Sequence, residues 1–201
     1  MKSYFENKEI CKKCGGRCCK RSGCGYLPTD FEKLSFDYLK EQLDKGEISI
    51  VAVFYGYKTD NEILIKPILH LRVRNVNRPI VDLLSKKTRC SMLSENGCKY
   101  SLDNRPTGGV LLIANEDGCY NLLPEEVSIR EWKKHQEVLK DLVTHYTSNS
   151  LEEELEIQIK QATEEIRNEL ILVQEVSKLS EEGRAILETL AMLDKGILQI
   201  N

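Results

Sequence analysis

The sequence predicts an α+β fold, mainly helical, with a small β-hairpin or sheet and a C-terminal helical hairpin. Two observations carry that expectation. Hydrophobic spacing changes from a helical period to β-branched runs and back along the chain. The polar tract Thr147-Ser148-Asn149-Ser150 then separates an acidic tail from what precedes it, so the expected domains are residues 1–146 and 150–201.

Taken in order, Leu27-Pro28-Thr29-Asp30 reads as a loop feeding a helix. Thr29 with Glu32 fits a capping box, Phe31, Leu34, Tyr38 and Leu39 supply the apolar face, and Gly46 is the stop. Residues 47–57 and 62–74 are rich in β-branched and aromatic side chains. With Thr59-Asp60-Asn61 as a turn between them, they predict a β-hairpin. Pro67 places its run at a sheet edge or breaks it. Residues 85–109 read as irregular, Val110 to Ala114 as a short strand, and Asp117-Gly118 as a turn ahead of Cys119. Ser128 and Glu131 fit a second capping box, opening a helix that runs to about His145.

The tail predicts a long helix. Ser150 with Glu153 starts it, and Leu155, Ile159, Ala162, Ile166, Leu170, Val173 and Val176 recur at three- and four-residue spacing. Ser180 to Lys195 carries Ile186, Leu187, Leu190 and Leu193 with Gly196 behind, and predicts a second helix folding back on the first. An apolar stripe of this length needs cover. A helical hairpin packed on the first domain supplies it; a homodimer through the C-terminal helices, as a coiled coil, is the other solution.

With 201 residues and 41% hydrophobic composition, the chain can bury an ordinary core. Net charge is −3, made of −7 over residues 150–201 and +4 over the rest. No stripe of Lys and Arg interleaved with aromatics appears, so nucleic acid is not an expected partner. No run reaches the roughly 18 apolar residues of a membrane span, and MKSYFENKEICKK has no secretory apolar stretch, so neither membrane nor secretion is expected. A cytoplasmic location follows as the expectation.

That compartment bears on the cysteines. Five of the eight, Cys11, Cys14, Cys18, Cys19 and Cys24, fall in CKKCGGRCCKRSGC, while Cys90, Cys98 and Cys119 lie far away. In a reducing cytosol clustered cysteines point to metal or redox chemistry rather than to disulfides. Cys11 and Cys14 form a C-x2-C knuckle, and Gly15-Gly16 permits a tight turn behind it. Cys18 and Cys19 are adjacent, so in extended backbone their sulfurs would diverge; a turn or a second metal is needed for both to ligate. Lys12, Lys13, Arg17, Lys20 and Arg21 either favour thiolates or simply face solvent. All eight cysteines are candidate ligands, and residues 1–146 are read as a cysteine-cluster metal-binding domain. The distal spacings, C-x7-C then C-x20-C, are not a zinc-finger pattern. They favour an iron–sulfur cluster, which accepts varied spacing, over Zn2+, which stays a candidate.

The run C-x2-C-G-G-x-C-C, followed by Cys90-Ser-Met-Leu-Ser-Glu-Asn-Gly-Cys98 and Arg105-Pro106, resembles the CxxCxxCC (YkgJ-like) cysteine-cluster family. That family is described as a zinc- or iron-chelating domain, with a branch similar to flagellin lysine N-methylase. The resemblance covers roughly residues 8–125 and implies Cys11, Cys14, Cys18, Cys19, Cys90 and Cys98 as ligands. This chain departs from the pattern in two ways. Three residues rather than two separate Cys14 from the Cys pair, and Thr107-Gly108-Gly109 stands where a cysteine is expected after Arg-Pro. Cys119 is the candidate replacement, and Cys24 lies outside the core pattern.

Arg72 and Arg74 alternate on a strand with Arg78 close behind, and read as the solvated face of an edge strand, with an anion-receiving role as the alternative. Arg105 reads as either a partner of a ligand thiolate or a turn arginine. His70, His135 and His145 share no ligand spacing, and Trp132 with Leu139 and Leu142 reads as a core face. Gly108-Gly109 precedes a possible strand and is not a nucleotide fingerprint. No nucleophile elbow or paired carboxylate is visible, so no enzyme follows from the residues alone.

Three functions fit. The first is a metal-binding protein whose site is structural or electron-carrying. The second, implied by the resemblance, is an enzyme acting on a protein or peptide substrate, such as S-adenosylmethionine-dependent lysine N-methylation. The third is an interaction module in which zinc holds the fold and the acidic hairpin binds a partner.

Overall fold

The fold is built around one long hairpin. In the computed structural model, β1 (Ile48–Lys58) pairs with β2 (Ile63–Val73), as the two β-branched runs predict. Residues 10, 13, 15–58, 63–95, 97–113, 119–123 and 125–176 are described. The expected turn at Thr59-Asp60-Asn61 and the expected helix from Ser180 to Lys195 lie outside them, as do Asp117 and Gly118.

Both edges of the hairpin base are extended by irregular chain. Along β1, Ile50 N donates to Ile80 O at 2.7 Å, Asp82 N to Ile50 O at 2.8 Å and Ala52 N to Leu83 O at 3.2 Å. Along β2, Tyr26 N donates to Leu71 O and Val73 N to Cys24 O, both at 2.9 Å. Farther up the same edge, the Gln136 side chain accepts from Leu69 N at 2.8 Å and donates to Leu69 O at 2.9 Å. Leu69, Leu71 and Val73 thus direct their backbone groups to that outer edge, and by alternation Pro67 does too. A residue without an N–H is tolerated there, so β2 runs through Pro67 unbroken.

Helices flank this hairpin in the chain. α1 (Phe36–Asp44) buries Leu39 and Leu43, one turn apart. A four-residue turn, α2 (Thr107–Val110), is followed by α3 (Glu125–Trp132), α4 (Gln136–Thr147) and α5 (Leu151–Val176). Trp132, Leu139, Leu142 and Val143 join Ile50, Val51, Leu69, Leu71, Val73 and Leu83 as fully buried side chains. Each such side chain contributes about 1.5–3 kcal/mol by leaving water. The buried Trp132 indole donates to Tyr26 O at 2.7 Å, and Tyr146 Oη on α4 reaches Asp44 Oδ1 on α1 at 2.7 Å.

Three helix expectations are corrected. The first helix does not start at Thr29. Pro28–Asp30 is a single 3-10 turn, Phe31 is extended, and Ser35 precedes the helix. Phe31 instead lies 5.2 Å from the Tyr26 ring and 6.1 Å from Trp132, contacts an early helix would not reach. The helix ends as expected, with Gly46 N returning to Leu43 O at 2.9 Å. Ser128 lies inside α3 rather than at its start. A 3-10 turn at Lys133–His135 divides the expected single helix, where Gln136 also donates to Trp132 O at 2.9 Å.

The expected strand at 110–114 is shorter. Leu112 and Ile113 form β5 opposite β6 (Tyr120–Asn121), while Val110 closes α2. Within 85–109, a two-residue ladder joins β3 (Leu93–Ser94) to β4 (Gly97–Cys98). The expected tail helix is present as α5, with Leu155, Ile159 and Ala162 half-buried and Ile166 exposed.

The chain divides into two compact units. One comprises Met1–Val53 and Pro67–Leu151; the other comprises Phe54–Lys66 and the chain from Glu152 onward. The six described cysteines belong to the first. No described helix is long and apolar enough to cross a membrane.

Candidate metal centre

The extension of β2 past Val73 carries both cysteine-bearing loops. On one side, Val73 N donates to Cys24 O. On the other, Ser91 N donates to Arg74 O at 3.0 Å and Val76 N to Arg89 O at 2.7 Å, and Asn75 bridges Cys90. Asn75 is 1% exposed, and its amide joins the two loops. Its Oδ1 accepts Gly23 N at 2.8 Å and its Nδ2 donates to Lys86 O at 3.1 Å. The loops also meet directly, since Cys90 N donates to Cys19 O at 2.7 Å.

Gly15 and Gly16 adopt φ of 60° and 75°, the left-handed region that favours glycine, and so turn the chain as expected. The turn continues: Lys20 N returns to Gly16 O at 2.9 Å, and Arg21 N to Cys18 O at 3.0 Å. Cys18 and Cys19 therefore sit in a tight turn, and the divergence expected of extended backbone does not apply.

Six of the eight candidate ligands are described: Cys18, Cys19, Cys24, Cys90, Cys98 and Cys119. No disulfide joins any of them to another, and Cys90 is buried while the others are half-buried. Cys11 and Cys14 lie outside the described residues. Neighbouring sulfurs act on three of these thiols, Cys19, Cys24 and Cys90. Burial, then the Cys90, Cys18, Cys98 and Cys119 sulfurs, push the Cys19 thiol up to about 12. Burial first, then Cys90, Cys19 and Cys98, hold Cys24 well above an ordinary thiol. Cys90 is raised by burial and by Cys98, against backbone N–H groups of Met92 and Leu93 that donate to it and the nearby Arg72 charge. The two sequence-distant groups thus share one electrostatic neighbourhood.

The donor chemistry of this neighbourhood suits a thiophilic metal. The Cys19, Cys24 and Cys90 thiols are disfavoured as anions by burial and by neighbouring sulfurs, and a cation among them would oppose both effects. Geometry is less complete. Among the described residues, no three His, Cys, Asp or Glu side chains are placed to hold a metal ion.

The basic residues around the cluster face solvent, since Lys13, Arg17, Lys20 and Arg21 are exposed. Arg72 corrects its expectation: it is 7% exposed rather than on a solvated face. Its guanidinium donates to Ser85 Oγ and approaches the fully buried Asp82 carboxylate at 3.6 Å. Arg78 takes the other oxygen of Asp82, at 2.6 Å through Nη2. Burying Arg72 beside Asp82 needs a partner that no strand pattern reveals.

His70 is half-buried, and desolvation followed by the Arg72 charge pushes its pKa down to about 4. His135 and His145 lie edge-on to aromatic rings, at 6.4 Å from Trp132 and 5.5 Å from Phe36. Gly108-Gly109 lies inside α2, which leads into the short strand β5. Sequence reasoning missed Asn75, Asp82 and the link from Asp30 to Thr107. Only the run Arg74-Asn75-Val76-Asn77-Arg78, polar directly after a strand, hinted at the first.

Comparison with protein-family models, curated proteins and solved structures finds no match for this chain.

Proposed function

We propose that this chain is a metal-binding protein in which cysteines of the N-terminal cluster and of residues 90–119 hold one iron–sulfur cluster or zinc ion. The observation that carries the reading is the effect of Cys90 and Cys98 on the Cys19 and Cys24 thiols, across two loops tied by the Cys90 N to Cys19 O hydrogen bond. Cys18 and Cys119 act on Cys19, and Cys11 and Cys14 are candidate ligands by their C-x2-C spacing. The distal spacing supports iron–sulfur over zinc, and the resemblance to the CxxCxxCC cysteine-cluster family, described as zinc- or iron-chelating, supports a metal site of either kind.

A bound zinc ion would hold the loops together, and an iron–sulfur cluster would in addition exchange single electrons. The protein's part is preparation. Main-chain N–H groups of Met92 and Leu93 donate to the Cys90 sulfur, and Arg72 adds a buried positive charge near it. Both favour a thiolate. Burial and neighbouring sulfurs hold the Cys19, Cys24 and Cys90 thiols protonated at neutral pH without metal, so ligation by them releases protons and affinity rises with pH.

Anaerobic purification, metal and sulfide analysis and a visible spectrum test the reading. A brown protein with stoichiometric iron and acid-labile sulfide identifies a cluster, and a colourless protein with stoichiometric zinc identifies the other member. A protein that retains neither, and takes up neither on reconstitution, sinks the proposal.

A further inference from the structure

The backbone of Gly109 and the sulfur of Cys24 approach so closely that a side chain at position 109 would displace one of them. A Cβ added there would lie 2.8 Å from Cys24 Sγ. One residue earlier, a Cβ on Gly108 would lie 2.6 Å from Gly25 O, the oxygen to which Gly108 N donates at 3.1 Å. Two glycines in a four-residue helical turn cost about 1 kcal/mol each relative to alanine. Helix propensity therefore does not account for them; close contact with Cys24-Gly25 does.

The turn is held in place from behind. Asp30 accepts Thr107 N at 2.9 Å and Thr107 Oγ1 at 2.5 Å, and also Leu27 N at 2.9 Å. On its other side, the Cys24 carbonyl receives Val73 N at 2.9 Å. The Cys24 backbone is thus pinned to β2 while its sulfur is walled by α2. The sulfurs that act on it are Cys90, Cys19 and Cys98.

We propose that α2 is a positioning wall for the cysteine site, in which Gly109 leaves the space for the Cys24 sulfur and the Asp30–Thr107 clamp sets that wall, making Cys24 a ligand. This rests on the metal-site reading above. Gly109 and Thr107 act only through Cys24.

Anaerobic loading of the full chain with cobalt(II) tests it, because the thiolate-to-cobalt charge-transfer band counts thiolates and competition gives affinity. Cys24→Ser is expected to lose about a quarter of the band, one thiolate of a four-ligand site. Gly109→Ala is expected to match it, with at least about tenfold weaker cobalt binding. The double variant should equal either single, since both remove the same contact. Should Gly109→Ala fail to fold, Thr107→Val replaces it: weaker cobalt binding in the wild-type background and no further loss in Cys24→Ser is the expected pair. Additive losses, or an unchanged band in Cys24→Ser, overturn the inference while leaving a metal site. A wild-type chain with no cobalt–thiolate band overturns both.

Discussion

The backbone N–H of Cys90 donates to the carbonyl of Cys19 at 2.7 Å, so the two cysteine-bearing loops are joined through main chain at a pair of their own cysteines. A main-chain link survives replacement of either sulfur. Serine variants therefore remove a thiol without opening the clasp.

Cys19→Ser and Cys90→Ser are each expected to cut bound metal to less than about half of the wild-type content, because a tetrahedral site loses one of four ligands. The double variant should fall no lower than the weaker single. Metal analysis with circular dichroism as the fold control checks this, and independent, additive losses would mean two sites.

Asn75 holds the loops from the strand. Asn75→Ala leaves the buried Gly23 N without its acceptor, at about 1–3 kcal/mol, and also removes the part-buried bond to Lys86 O, worth about 1 kcal/mol. A destabilisation of about 2–4 kcal/mol is expected in urea unfolding. A shift below about 0.5 kcal/mol, the range of ordinary surface changes, would show that the bridge contributes little.

Asp82 is fully buried between Arg72 and Arg78. Asp82→Ala strands the buried Arg72 charge and is expected to cost about 3–5 kcal/mol. Arg78→Ala costs less, because the Arg78 side chain is 21% exposed and Asp82 keeps Arg72. Equal losses in urea denaturation would contradict that ordering.

His70 makes stability depend on pH. Its folded pKa, about 4, lies below the ordinary 6.5, so the unfolded chain binds the proton more readily between those values. Its contribution is complete above pH 6.5, declines as pH falls and is lost below about 4, at most about 3 kcal/mol. His70→Gln is expected to flatten this slope. An unchanged slope between pH 4 and 6.5 would place the titration elsewhere.

The hairpin and α5 were legible because their signals are local. β-branched runs and a three- and four-residue apolar stripe need no distant partner to be read. Helix starts were less legible. Thr29 and Glu32 mimic a capping box, yet Asp30 between them is engaged by Thr107, far along the chain. The start of α3 was written in Leu123-Pro124-Glu125-Glu126, a proline followed by acidic residues, rather than in Ser128. Its division from α4 follows from Gln136, whose amide pairs with the open edge of β2 at Leu69.

The candidate site divides the same way. Composition and spacing alone marked the cysteines as candidate ligands and separated them into two groups, because residue type and local spacing are properties of the chain. Their shared electrostatic neighbourhood, the Asn75 bridge, the burial of Arg72 against Asp82 and the contact of Cys24 with Gly109 came only with folding. Each joins residues on different segments, and such pairs are chosen by which edges of β1 and β2 the loops occupy, a long-range choice that no local pattern encodes.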